Sequence, residues 1–333
     1  MKRYIQKITP LLLILALLLS MVGCGAETTT ESEETSSETS TETTTEETTV
    51  EEEQTTTEET EPTKEIKYKD SLKVLAIGNS FSVDGMEYLW NICDDQGIET
   101  IVLGNLYIGG CTLDTHWNNI SNKTNAYTYY KNTTGKWVST ASVSVQTAIA
   151  DEEWDVITIQ QASGSSGRPT TYGNLTKILE WIDTNKTNEN AEIIWHMTWA
   201  YAQNSTHKEF VNYQKNQMTM YQNITETVQS TVTTNTLVQG VIPSGTALQN
   251  LRSSYVGDTI TRDGYHLHKG IGRYTASLTW FAAITGRSVE SVKWVPINYS
   301  ALKNNLPAIK EAVTNSIQTP YSVTQSSYTE APN

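Results

Sequence analysis

A serine hydroxyl attacks a carbonyl only when a base removes its proton, and an imidazole serves best when a carboxylate holds its ring. Three short stretches of this chain offer those groups. Gly78-Asn79-Ser80-Phe81-Ser82 ends the apolar run Leu72 to Ile77 on small polar residues, which puts the Ser80 hydroxyl at a strand tip or makes Ser80 a helix cap. Asp263-Gly264-Tyr265-His266 sets a carboxylate three residues before an imidazole, so that a turn there lets Asp263 orient His266, or leaves a surface turn with a satisfied histidine. Gly109-Gly110, in "NLYIGGCTL", lets a backbone N–H approach a ligand closely, or is a plain glycine turn.

The elements that must carry these groups are legible as apolar runs. Leu72–Ile77, Thr100–Leu106, Val156–Ile159, Ile193–Met197 and Leu237–Ile242 read as strands, continuous rather than alternating. Helical patterns separate them over Gly85–Gln96, Val145–Glu152, Asn174–Thr184, Phe210–Thr231, Gly270–Thr285 and Tyr299–Ile317. This alternation predicts a three-layer α/β/α domain with a five-stranded parallel sheet, of the flavodoxin-like type. "YYKNTTGKWV" reads as an inserted hairpin turning at Thr133-Thr134-Gly135. Ligands bind beyond the carboxyl ends of such strands. After the third strand stands "QQASGSSG", with Gln160 and Gln161 as amide donors or as polar caps of a flexible connection. After the fourth, Trp199 and Tyr201 are either a stacking platform for a sugar or core aromatics.

The order Gly-Asn-Ser, glycine loop, Asp-x-x-His resembles the SGNH, or GDSL-type, hydrolase superfamily over Ser71 to about Thr285. The G-x-S-x-G of α/β-hydrolases is not met, because Ser82 fills the last glycine position. The resemblance implies Ser80 as nucleophile, with Asp263 and His266 as its acid and base. Gly110 falls on the oxyanion-hole glycine, flanked by Asn105 and Thr112. The superfamily's Gly-x-Asn-Asp block has no counterpart after the third strand, and Gln161, or less readily Gln160, is the amide that could replace its Asn. The resemblance is nearest to a branch of secreted bacterial lipoproteins.

The amino terminus agrees with export. Lys2, Arg3 and Lys7 precede the apolar run Leu11 to Leu19, which is short for a membrane span. Met21-Val22-Gly23-Cys24 resembles a lipobox, which implies cleavage before Cys24 and a lipid anchor on its thiol at the bacterial cell surface. The expected organisation is residues 1–23 as signal peptide, 24–65 as a disordered Thr/Glu-rich tether, 66–320 as the hydrolase-like domain and 321–333 as a polar, frayed tail. Roughly 40 tether residues at about 3.3 Å each reach on the order of 130 Å. Of the net −14, the tether's 14 Glu against one Lys account for −13 and the leader for +3, which leaves −4 from Glu65 onward. The folded part is therefore nearly neutral, and nothing points to nucleic acid. Cys93 and Cys111 read as two buried thiols, although a bridge between them is open to an exported protein. The histidines are scattered, so no metal or cofactor is expected.

With the expected export, the resemblance implies a cell-surface serine esterase that removes acyl, chiefly acetyl, groups from polysaccharide. Tyr107, Trp117, Trp199 and Tyr201 would line its sugar cleft. The alternatives are a glycan-binding lipoprotein that kept the fold without catalysis, and an acyltransferase using the same triad.

Overall fold

The computed structural model describes residues 67–68 and 70–332. Cys24, the leader and the acidic tether lie outside the described residues. The chain forms an α/β fold around a mixed sheet of seven strands, not the five expected, in the order β4-β3-β2-β1-β5-β6-β7. The strands are β1 (Ser71–Gly78), β2 (Thr100–Tyr107), β3 (Tyr127–Asn132), β4 (Trp137–Val143), β5 (Val156–Ile159), β6 (Glu192–His196) and β7 (Gly240–Ile242). Five are parallel, one from each apolar run identified above, although the last run is strand only over Gly240–Ile242. The two additional strands are the hairpin, whose first strand pairs antiparallel to β2. β4 is polar and exposed along most of its length, so no apolar run marks the hairpin as part of the sheet. Pairing with β3 covers a β2 edge that would otherwise leave its backbone groups open.

The helices are α1 (Ser80–Met86), α2 (Leu89–Asp95), α3 (Leu113–Ser121), α4 (Val145–Ile149), α5 (Leu175–Asn185), α6 (Gln217–Thr227), α7 (Ser244–Arg252), α8 (Ile271–Thr285) and α9 (Leu306–Gln318). From β1 the chain steps one way to β2, then back past β1 to β5. Right-handed crossovers therefore send α1–α2 and α3–α4 to opposite faces. Accordingly α1, α2, α7 and α9 pack with α8, and α3 packs with α4 and α5.

Two helices, α3 and α7, were not anticipated. Every residue of α7 is buried, so no amphipathic period marks it. The expected long helix from Phe210 is instead a 3-10 turn (Lys208–Tyr213), then α6, then a π turn (Val228–Val232). Gln214 and Lys215, at φ 57° and 54°, break it. The tail is not frayed. Thr324 N–H donates to Asn250 Oδ1 (2.8 Å), Ser326 N–H to Ser253 Oγ (2.9 Å), and the Tyr328 carbonyl accepts from Tyr255 N–H (2.9 Å). Cys93 and Cys111 are separate buried thiols, and burial pushes both up to about 12.

Candidate active site

The register places the turns of interest at one level. Gly78 pairs with Tyr107 at the carboxyl ends of β1 and β2, so the loops after both strands leave the sheet side by side. A Cβ on Gly78 would lie 2.4 Å from Ser82 Oγ, and only glycine lets α1 fold back this closely. Asn79 caps α1 by accepting Phe81 N–H (2.9 Å) on Oδ1. Ser80 is thus the first residue of α1, and its N–H has no intrahelical acceptor. Its hydroxyl faces a cleft of about 290 Å³ at this end of the sheet.

His266 reaches the same cleft from the loop between α7 and α8. Its Nε2 lies 2.8 Å from Ser80 Oγ, and its Nδ1 lies 2.7 Å from Asp263 Oδ2. Asp263 Oδ1 also accepts the backbone N–H groups of Tyr265 (3.2 Å) and His266 (2.7 Å), the turn expected of Asp-x-x-His. Burial raises the Asp263 carboxyl, but the hydrogen bonds from His266 and Tyr265 outweigh it and hold the group below the usual carboxylate value. A carboxylate on Nδ1 fixes the proton there, which leaves the Nε2 lone pair of the neutral ring toward Ser80.

Sequence reading missed what brings these segments together. Asp84, one turn beyond Ser80 on α1, is fully buried. It accepts from Arg262 Nη1 (3.1 Å), Arg273 Nε (2.8 Å) and the backbone N–H of Leu267 (2.8 Å). One carboxylate thereby fastens the helix that carries Ser80 to both ends of the His266 loop and to α8. No local signal marks it, because its partners stand 178 to 189 residues away. Trp199 adds a second tie. It stacks on Phe81 at 4.2 Å between centroids, and its Nε1 donates to the Tyr265 carbonyl (2.8 Å).

Gly110 lines the cleft, and its φ of +63° is readily adopted only by residues without a Cβ. Its N–H has no hydrogen-bond partner among the described residues. The amide expected beside it is absent from the cleft. Gln161 is buried, with Oε1 accepting from Leu113 N–H (3.0 Å) and Ala162 N–H (2.9 Å), and Nε2 donating to the Thr171 carbonyl (2.9 Å). It braces the third loop rather than facing a substrate, and the residues of that loop that line the cleft are Ala162 and Ser163. Gln160 is engaged as well, donating to Asn79 Oδ1 (2.9 Å).

Of the four aromatics expected in the cleft, Tyr107 lines it. Trp199 and Tyr201 are fully buried and offer no platform. The Tyr201 hydroxyl pairs with Ser163 Oγ (2.8 Å). Trp117 lies on α3 outside the cleft, beneath Lys177 Nζ at 5.7 Å. Aromatic residue types mark a strand end equally well as core or as platform, and burial decides between them. Two cleft residues were not anticipated, His207 and Glu209, brought in by the 3-10 turn after β6.

Behind the cleft runs a buried polar chain with one direction of donation. His196 Nδ1 lies 2.7 Å from Gln160 Oε1, whose amide nitrogen is the donor to Asn79 described above. Asn79 Nδ2 in turn donates to the Cys111 carbonyl (3.2 Å), which ties the Ser80 turn to the Gly110 loop. Ser244 Oγ lies 3.1 Å from His196 Nε2. Burial lowers His196 to about 3, and His116, beside Tyr127, likewise to about 3. Between that value and the unfolded 6.5, the unfolded chain binds protons that the folded chain refuses. Their contribution is therefore full above pH 6.5 and lost progressively below it. Each histidine should cost about 2 kcal/mol between pH 7 and pH 5, or about 4 kcal/mol together. Urea titrations at the two pH values measure this, and equal stabilities would show that the rings are protonated in the folded state.

Residues 73–314 match the family model described as "Domain of unknown function (DUF4886)". A crystal structure of a DUF4886 family protein from Bacteroides uniformis is 42% identical, covering 77% of this chain and 98% of that one, with a TM-score of 0.73. Structural neighbours at low identity include SGNH hydrolases. One is a protein from Slackia heliotrinireducens described as a candidate SGNH hydrolase (16% identity, 65% of this chain, 100% of that one, TM-score 0.42). Another is an acetyl-xylooligosaccharide esterase from Geobacillus stearothermophilus (11%, 69%, 99%, 0.42). No curated protein gives a significant match. With the matched region spanning most of the chain and a relative this similar over nearly its whole length, the protein belongs to the DUF4886 family.

Proposed function

We propose that the protein is a serine esterase that removes short acyl groups, acetyl above all, from carbohydrate at the cell surface. The observation that carries this reading is the continuous file Ser80 Oγ, His266 Nε2, His266 Nδ1, Asp263 Oδ2, with separations of 2.8 and 2.7 Å, at the wall of a cleft. As Oγ bonds to the ester carbon, its proton passes to Nε2, and Asp263 stabilises the imidazolium that forms. The negative charge gathers on the former carbonyl oxygen, within reach of the Ser80 and Gly110 N–H groups. Collapse of this intermediate returns the proton from Nε2 to the departing sugar alkoxide and leaves an acyl-serine. Water, deprotonated by the same nitrogen, then releases the acid and restores Ser80.

The cleft, at about 290 Å³, lies at the small end of ligand pockets, which favours a short acyl group. The expected leader, cut before Cys24, and the long acidic stretch after it support action outside the membrane, where acylated polysaccharide is met. One observation favours a non-catalytic glycan binder instead: Gln161 is turned away, so the hole has two backbone donors and no side-chain amide. The test has two readouts. A serine-directed fluorophosphonate should label Ser80 of the purified protein, and intact cells carrying the protein should release acetate from an added acetylated polysaccharide. Glycan binding with neither labelling nor acetate release would overturn the esterase in favour of the binder.

A further inference from the structure

One charged group in the cleft has no part in the proposed chemistry. Glu209 lines it together with Ser80, Ser163 and His266, and its carboxylate has no hydrogen bond or ion pair among the described residues. Every other carboxylate near the site is engaged: Asp84 with two arginines, Asp263 with His266, Asp258 with Arg252. No lysine or arginine lines the cleft, and Lys208, next in the chain, is exposed outside it.

The carboxylate is held in place rather than left to wander. It packs against Gly164 in the third loop, where a Cβ would lie 2.0 Å from Oε2 and 2.6 Å from the Glu209 Cβ. The Tyr213 hydroxyl, at the other end of the same 3-10 turn, donates to the Gly164 carbonyl (3.0 Å) and accepts Gly167 N–H (3.0 Å), which locks turn and loop together. His207, whose Nδ1 accepts Glu209 N–H (3.3 Å), is wedged between Tyr201 and Tyr265 at centroid distances of 4.8 and 4.6 Å. The backbone carrying Glu209 is thus fixed from both sides.

A fixed, unpaired carboxylate has a definite chemical preference. It accepts hydrogen bonds from hydroxyl groups, accepts shorter and stronger ones from an ammonium, and repels another carboxylate. We infer that Glu209 is a specificity residue that selects, beside the reacting ester, sugar units bearing a free hydroxyl or amino group and excludes uronic acid units. This inference rests on the esterase reading for the word "ester", but the selection itself is a property of binding and is measured without turnover.

The test uses three matched β-1,4-linked trisaccharides, of glucosamine with the amine protonated, of glucose and of glucuronic acid, titrated calorimetrically into the parent protein. The glucuronate oligomer should bind roughly tenfold more weakly than the glucose oligomer, and the glucosamine oligomer at least as tightly as glucose. Glu209→Gln should bring the three affinities together. Gly164→Ala keeps the charge but displaces the carboxylate, and should weaken the glucosamine oligomer selectively. Equal binding of glucuronate and glucose by the parent, absence of saturable binding of all three, or a ranking that survives Glu209→Gln would each overturn the inference. Failure of the esterase reading would show separately, as absence of fluorophosphonate labelling and acetate release with the sugar ranking intact.

Discussion

Ser80→Ala should reduce turnover of p-nitrophenyl acetate by about 10⁴-fold or more, with the fold and sugar affinity retained. The size of the effect follows from the arrangement at the strand tip. Ser80 Oγ is the hydroxyl in contact with His266 Nε2, and no neighbouring hydroxyl replaces it. Ser82, two residues on, has its Oγ 2.8 Å from the Asn79 carbonyl and 2.9 Å from Asn105 Oδ1, facing away from the imidazole. Whatever rate survives would come from the two N–H donors acting on water-driven hydrolysis. His266→Ala should fall to a similar level, because nucleophile and base act as one unit and their losses do not add. Retention of a tenth of the parental rate by Ser80→Ala would mean that another group attacks the ester.

Asp84→Ala should cost about 3–5 kcal/mol of stability, the penalty for removing one partner of a buried ion pair. The substitution would leave Arg262 and Arg273 without the carboxylate they share and Leu267 N–H without an acceptor. Arg273 keeps Glu87 at 2.8 Å, so the damage should fall mainly on the Arg262–Leu267 side, which carries His266. Turnover should therefore drop even well below the denaturation midpoint, because the imidazole is no longer held opposite Ser80. Asp84→Asn, which preserves shape and some acceptor capacity, should lose less. Urea unfolding followed by tryptophan fluorescence, with initial rates on the same samples, measures both effects. An Asp84→Ala variant within 1 kcal/mol of the parent with unaltered rate would show that the loop is positioned by other contacts.

The candidate site residues that lie close in sequence or at a strand end are readable from the sequence, and those that act over distance are not. Asp263 and His266 lie three apart, and a single turn suffices to bring them together. Ser80 follows an apolar run that could hardly be other than a buried strand. The five parallel strands showed themselves through hydrophobic continuity, the same physics that buries them. Burial also explains the misreadings. By residue type and by position after a strand Trp199, Tyr201 and Gln161 read as cleft residues, but each turns inward, where it makes hydrogen bonds that only the folded chain reveals. Glu209 was invisible for the converse reason. It stands one residue before the helical pattern that begins at Phe210, where nothing marks a cleft residue, and the 3-10 turn that carries it into the cleft is stabilised by the packing of Tyr213 against Gly164 and Gly167.

The outermost strand of the sheet has a bearing on solubility. Trp137–Val143 ends the sheet with one backbone edge unpaired, the kind of edge on which a second molecule can add a strand and begin an aggregate. Two features blunt it. The register with its partner shifts between Tyr127 and Tyr129, and Ser142 takes a left-handed φ of 58°, so the strand is kinked toward its end. Its side chains there are Ser139, Thr140, Ala141 and Ser142, too small and polar to glue two ribbons face to face. A neighbouring copy approaching this border past the exposed Val138 would thus meet a bent, hydroxyl-rich ribbon rather than a straight, greasy one.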